Sequence, residues 1–253
     1  MRFDAVRRWM GRARSATADL LFPPACIACS TQCVAHFSDL MLCDACRGRL
    51  PLIDWPVCTR CAAPVPEAAG VRLACNHCRG DRLRFERTIA LGSYEGLLRD
   101  LIVRMKTDRS EVVAHTLLEL AWRELADALR ALPADVVTAV PSSPWRRWRR
   151  GTNPPATLAQ RLAEKLGIPA ATAMLQLRRN VPPQVGLSRS ARFRNLSGEM
   201  AVRPTYHLQD ARVLLVDDIL TTGATCTEAA RVLKLAGAAE VTVFVLGRTP
   251  AEQ

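Results

Sequence analysis

Aromatic residues are scarce, at 5% of the 253-residue chain, although hydrophobic residues as a class reach 49%. That balance excludes a disordered chain and predicts a core of Leu, Val and Ala, as in parallel sheets covered by helices. Long apolar runs are missing as well. No stretch approaches the roughly 20 residues that a membrane span requires, and the N-terminal segment lacks the apolar core of a secretory signal, so the expected location is cytoplasmic. Lysine is nearly absent: Lys106, Lys165 and Lys234 are the only three among 35 Lys plus Arg. With a formal net charge of +11, the positive surface is almost entirely guanidinium. Its planar fork suits phosphate, on a small molecule or along a nucleic-acid backbone, and charge alone does not choose between them.

Cysteine is concentrated in one place. Nine of the 10 cysteines lie between Cys26 and Cys78, and eight form the C-x-x-C pairs Cys26/Cys29, Cys43/Cys46, Cys58/Cys61 and Cys75/Cys78. Adding 32 to the first four positions gives the last four, and Pro24 maps onto Pro56, so the segment is a tandem repeat. Two residues between cysteines let both thiolates of a tight turn face one cation, and paired turns make a four-cysteine zinc site. The offset favours one zinc on Cys26, Cys29, Cys43 and Cys46 and another on Cys58, Cys61, Cys75 and Cys78, with interleaved pairing as the alternative. Disulfides fit less well, because a reducing compartment opposes them and a redox C-x-x-C stands singly. The first role expected of the metal is folding, since some fifty residues cannot build a core of their own. Cys33 and Cys226 read as packed residues. His36 and His77 read as spectators beside complete ligand sets.

Three segments follow from these patterns. Residues 1–24 carry an amphipathic helix over Met1 to Phe22, with Val6, Trp9, Met10, Leu20 and Leu21 set among arginines and expected to dock on the protein itself, with membrane-surface or partner binding as the alternative. Residues 25–84 form a double zinc ribbon. Residues 85–253 form an α/β domain, with strands near Thr88 to Ser93, Val136 to Val140, Val213 to Val216 and Val241 to Leu246. Helices are expected near Leu97 to Met105, Val112 to Ala131, Ala156 to Leu166 and Ala224 to Leu235. Such alternation implies a parallel sheet with ligands at the carboxyl ends of its strands. Gly167 and Gly237 directly follow two of the helices, where a left-handed residue ends a helix.

At one strand end VLLV runs into Asp217, Asp218, Ile219, Leu220, Thr221, Thr222 and Gly223, and a helix opens at Ala224. Backbone N–H groups of the turn and helix start, with the hydroxyls of Thr221, Thr222 and Thr225, can surround a dianionic phosphate. Gly223 permits close approach, and the carboxylates can accept hydrogen bonds from ribose hydroxyls. This segment resembles the signature of the type I phosphoribosyltransferases, in which the two acids engage the ribose and the threonine-rich turn holds the 5-phosphate.

Three further stretches, LIVRMK (Leu101 to Lys106), AVPSSPWRRWRRG (Ala139 to Gly151) and LRRNVPPQVGLSRSARFRNLSG (Leu177 to Gly198), together with the cysteine ribbon, resemble the ComF family. The resemblance spans nearly the whole chain. It implies a type I phosphoribosyltransferase-like parallel sheet flanked by helices, phosphoribosyl pyrophosphate bound with Mg²⁺, and a part in DNA uptake during bacterial transformation alongside uptake proteins. It also places Pro141 to Pro144 at the pyrophosphate loop and puts Gln184, Leu187, Arg192 and Asn195 on a flexible loop. Ser142 and Ser143 depart from the usual family pattern there, while Asn153 and Pro154 after Gly151 fit it.

Independently of resemblance, Trp145, Arg146, Arg147, Trp148, Arg149 and Arg150 put two indoles and four guanidiniums in six residues. Ser142, Ser143, Arg146 and Arg147 are the candidate rim for pyrophosphate, and the whole run is a candidate stacking surface for single-stranded DNA. Arg178, Arg179, Arg189, Arg192 and Arg194 accompany Pro182, Pro183 and Gly186 and read as a mobile loop rather than a helix. Two functions stand side by side. One is a transferase that moves the phosphoribosyl group with Mg²⁺ and arginines stabilising the leaving pyrophosphate. The other is a nonenzymatic single-stranded-DNA-binding protein that keeps the ribose-phosphate pocket as a sensor.

Overall fold

The computed structural model describes residues 24–32, 40–53, 56–65, 75, 77–80, 83–142, 152–178 and 189–250. A helical turn, α1 (Asp44–Arg47), precedes β1 (Arg87–Ser93), α2 (Gly96–Met105), α3 (Val112–Arg130), β2 (Val136–Ala139) and α4 (Pro154–Leu166). There follow β3 (Leu175–Leu177), α5 (Arg189–Leu196), β4 (Met200–Val202), β5 (Arg212–Leu220), α6 (Ala224–Leu235) and β6 (Glu240–Arg248). Strands β1, β6, β5 and β2 make one parallel sheet in that order, and β3 pairs with β4 in an antiparallel ribbon.

Side chains alternate across the sheet, so each strand feeds two cores. Leu91, Val137, Leu214, Val216, Phe244 and Leu246 point into a layer shared with α2, α3 and α4. Val213, Leu215, Val241, Val243 and Val245 point to the opposite layer, where α6 and the β3–β4 ribbon lie. With both faces covered, these strands need no polar alternation. Each such buried side chain contributes about 1.5–3 kcal/mol, so the central strands β5 and β6 anchor the domain. Helix α4 starts with Pro154 and Pro155, which fit a first turn whose N–H groups have no partner, and ends at Gly167 in the left-handed region, φ 70.

Two expectations change. Strand β5 does not stop at Val216; β6 keeps pairing alongside, with Asp217 opposite Val245 and Leu220 opposite Arg248, so the two acids are strand residues. The arginine-rich stretch is also not all loop. Residues Arg189–Leu196 form α5, because Pro182, Pro183 and Gly186 all precede it and none interrupts it. Its end is tied to α6 through the Gly198 N–H, which donates to Glu228 Oε1 at 2.9 Å, and Leu196 is buried in the same layer.

The cysteine repeat is a structural repeat. Bridges join Ala25 with Gln32 and Val57 with Pro64, again offset by 32. In each hairpin the first cysteine's N–H reaches across, Cys26 to the Thr31 carbonyl at 2.8 Å and Cys58 to the Ala63 carbonyl at 2.9 Å. Ser30 and Ala62 occupy equivalent left-handed positions, φ 61 and φ 52. The two units grip opposite sides of the sheet. Cys26, Ile27, Leu40, Leu42, Cys46 and Leu50 join the layer of α2 to α4, whereas Cys58, Cys61, Cys75 and Cys78 join the layer of α6.

Between them, Pro51 to Ile53 runs antiparallel along the free edge of β1. Ser93 N–H donates to the Pro51 carbonyl at 2.8 Å, and Ile53 N–H donates to the Leu91 carbonyl at 3.1 Å. This closeness depends on Gly92, where a Cβ would stand 2.6 Å from the Pro51 oxygen. We expect Gly92→Ala to destabilise the protein by about 1–3 kcal/mol, the usual effect of overpacking, in denaturant-unfolding curves. An unchanged midpoint would show that this edge pairing yields freely.

Candidate functional site

The extension of β5 decides where its acids point. Consecutive strand residues face opposite sides. Asp217 turns toward α6, where its Oδ2 lies 3.8 Å from Cys226 Sγ, while its Oδ1 accepts the Asp218 N–H at 2.8 Å. Asp218 turns toward α2, and its Oδ2 lies 3.0 Å from Lys106 Nζ. The carboxylates therefore flank the end of the strand from two sides. Asp217 is only 9% exposed. Burial, and then the charge of Asp218, push its carboxyl up to about 8. The Cys226 thiol is raised well above its ordinary value, by burial first and then by Asp217, and acts as packing rather than as a nucleophile.

After Leu220 the chain turns through Thr221, Thr222 and Gly223 into α6. Gly223 has φ 80, and its backbone lies against Leu83 and Phe85, so a Cβ there would come within 3.1 Å of the Leu83 side chain. Both the torsion and the contact select glycine. The Thr222 hydroxyl accepts the Ala224 N–H at 3.3 Å, and the Thr227 N–H donates to the Gly223 carbonyl at 2.8 Å, opening the helix. Thr225 sits half-buried in the first turn of α6. Beneath the turn lies Arg248, 6% exposed, donating through Nη1 to the carbonyls of Leu220 (3.2 Å) and Thr221 (2.9 Å). The turn thus has acids on one flank and the start of a twelve-residue helix on the other, and backbone N–H groups at a helix start favour anions.

The eight paired cysteines gather as two sets of four, Cys26, Cys29, Cys43 and Cys46, and Cys58, Cys61, Cys75 and Cys78. Interleaved pairing is not adopted. Tetrahedral Zn–S bonds of about 2.3 Å place sulfurs about 3.8 Å apart. Cys29 and Cys43 are 3.7 Å apart, Cys58 and Cys78 3.9 Å, and Cys61 and Cys75 3.6 Å. Burial, followed by contact with its neighbouring thiols, pushes Cys46 up to about 12, and burial raises Cys61 too. Four thiolates cannot coexist at such spacing without a cation, so the donor chemistry and geometry both fit Zn²⁺.

Ser142 leaves β2 and donates to Asn153 Oδ1 at 2.7 Å, joining the two ends of the Trp/Arg run. Ser143, Arg146 and Arg147 lie outside the described residues, as do the rest of that run, Met1 to Phe22, Cys33, His36, Arg179, Gln184 and Leu187. Arg192 and Asn195 fall in α5. Two residues were given no role by the reading of motifs. Lys106 is one of three lysines in an arginine-rich chain, a compositional signal that could have marked it. Arg248 closes an apolar run, VTVFVLGR, where a charge is out of place unless bound.

Comparison with known proteins agrees with this architecture. Residues 17–79 match a double zinc ribbon domain, and residues 156–253 match a phosphoribosyl transferase domain. The DNA utilization protein YhgH of Salmonella typhimurium is 33% identical over 223 residues, 82% of this chain and 97% of that protein. YhgH of Escherichia coli K12 is 32% identical over the same shares. Competence protein F of Haemophilus influenzae is 29% identical over 228 residues, 88% of this chain and 96% of that one. Among the described residues no helix is long and apolar enough to cross a membrane. A double zinc ribbon leading into a phosphoribosyltransferase-type parallel sheet, with such relatives over most of its length, makes this chain a member of the ComF family.

Proposed function

We propose that the segment from Asp217 to Thr225 binds the ribose 5-phosphate part of phosphoribosyl pyrophosphate, or of a nucleotide, and that the protein serves DNA uptake in natural transformation. The observation that carries this is the left-handed turn at Gly223, set between two strand acids and the N-terminus of α6. Turn N–H groups and Thr225 hold the phosphate. Asp218, the more accessible acid, accepts from the ribose hydroxyls once Lys106 exchanges partners, and Lys106 then faces the anionic ligand. The carboxylates are hard oxygen donors suited to Mg²⁺, which when bound with phosphoribosyl pyrophosphate would neutralise the pyrophosphate.

The names of the relatives speak of DNA utilization and competence. In this reading the reduced cysteines work in the cytoplasm, and the units are residues 1–24, 25–84 and 85–253. A ligand present at about 100 times its Kd stabilises the folded state by about 2.7 kcal/mol. Ribose 5-phosphate is therefore expected to raise the melting temperature, and ribose alone is not. No shift at saturating concentrations would refute the assignment.

The net charge of +11 favours a second reading, nonenzymatic binding of single-stranded DNA with the pocket as a sensor. Pyrophosphate release from phosphoribosyl pyrophosphate and Mg²⁺, in the presence of nucleobases or single-stranded DNA, separates the transferase from the sensor. Direct backbone binding predicts an affinity for single-stranded DNA that falls steeply with salt.

A further inference from the structure

The second cysteine cluster and the phosphate-binding turn share one residue. Arg248 ends β6 and is buried, and its guanidinium spans the gap between two segments far apart in sequence. Nε donates to the carbonyl of Cys61 at 2.8 Å, and Nη1 donates to the carbonyls of Leu220 and Thr221 and of its neighbour Thr249. Cys61 is itself a member of the second sulfur set. The Thr249 N–H adds a bond to the Leu220 carbonyl at 3.0 Å, and Leu83 and Phe85, just beyond the same cysteine unit, press on Gly223.

The consequence for the turn follows from peptide geometry. A trans peptide holds its N–H opposite its C=O, and no cis bond occurs among the described residues. Drawing the carbonyls of Leu220 and Thr221 back onto Arg248 aims the N–H groups of Thr221 and Thr222 to the other side of the chain. An anion-binding turn needs its N–H groups directed at the ligand and its carbonyls directed away. Arg248 enforces that arrangement from below.

We propose that Arg248 is a positioning residue that transmits the metal state of the second cysteine cluster to the phosphate-binding turn. Loss of the cation frees the Cys61 carbonyl from its fixed place. The guanidinium then loses its hold on the cysteine unit, and the carbonyls of the turn are held back less firmly. Among the described residues the first cluster has no such link to the turn. Its Ile27 carbonyl is held by Arg104 of α2, on the opposite face of the sheet.

This inference rests on the ribose-phosphate reading, and the test separates the two. Binding of ribose 5-phosphate and of inorganic phosphate is measured by calorimetry for the full chain and for Arg248→Met, Arg248→Lys, Cys78→Ser and Arg104→Met, with zinc content assayed in each. Arg248→Met should keep its zinc yet bind both ligands roughly tenfold or more weakly, as expected from losing charged hydrogen bonds. Lysine, a single point donor, should rescue only partly. Cys78→Ser should lose the second zinc and, under conditions where circular dichroism shows it folded, match Arg248→Met although Arg248 is intact, whereas Arg104→Met should bind phosphate like the parent.

Near-parental affinity in Arg248→Met, or in Cys78→Ser once its second zinc is gone, would overturn the coupling. Should the parent itself bind neither ligand, the ribose-phosphate reading fails. Amide hydrogen exchange at Thr221 and Thr222 then decides the coupling alone. It should quicken in Arg248→Met and Cys78→Ser, and unchanged exchange in both would refute it.

Discussion

Chelating the metal should cost the protein its cooperative fold rather than a few degrees of stability. Structural zinc contributes about 10–16 kcal/mol in small cysteine modules, as much as the whole stability of an ordinary domain. Here the effect reaches beyond the modules, because Cys26 and Cys46 are part of the core under α2 to α4 and the second sulfur set is part of the core under α6. Without the cation each cluster must take up protons or separate, since burial and neighbouring thiols push Cys46 up to about 12 in the first, and burial raises Cys61 and Cys78 in the second. Circular-dichroism melts with and without a strong chelator should show a large drop in melting temperature or a lost transition, restored by added Zn²⁺. Coincident melts, with the metal shown to be gone, would mean that sulfur packing alone holds both units.

The second large effect concerns Asp217 and sets stability against binding. Its carboxyl lies at about 8 in the folded chain, against 3.8 for an ordinary aspartate, because it is buried and then because Asp218 stands beside it. Between those values the folded state holds a proton that the unfolded state has released, so this group's contribution to stability falls as pH rises from about 4 to about 8. Asparagine removes the liability while keeping an oxygen for the Asp218 N–H. Asp217→Asn should therefore melt above the parent at about pH 8 to 9, with the advantage shrinking toward pH 5. Ligand binding should move the opposite way: ribose hydroxyls and Mg²⁺ favour the carboxylate, so parental affinity rises with pH toward 8 and the variant's stays low. A melting advantage independent of pH would contradict the buried, protonated Asp217.

Much of this was legible beforehand, for identifiable reasons. The 32-residue offset favoured the grouping that the cysteines adopt, and the same offset recurs in the hairpin bridges and in the torsions of Ser30 and Ala62. Apolar runs such as Val213 to Val216 marked the central strands because both sheet faces are covered. What stayed hidden depends on distant partners. The reach of β5 to Leu220 requires β6 beside it, and with that reach went the direction of each acid. Helix α5 has little apolar patterning and is held by Leu196 and by the Gly198–Glu228 bond to α6. Lys106 and Arg248 stand out by composition and by place in the sequence, yet only the fold shows that their partners are Asp218 and the turn.

The ribose-phosphate assignment meets its most direct test in calorimetric titration of Mg²⁺ and phosphoribosyl pyrophosphate into the parent chain and into Asp217→Asn combined with Asp218→Asn. Above about pH 8, where Asp217 is ionised, losing two charged acceptors amounts to roughly 3–6 kcal/mol, a hundredfold or more in Kd. Saturable binding by the parent and its disappearance in the folded double variant is the expected result. Equal affinity in both proteins would place the ligand elsewhere and contradict the site.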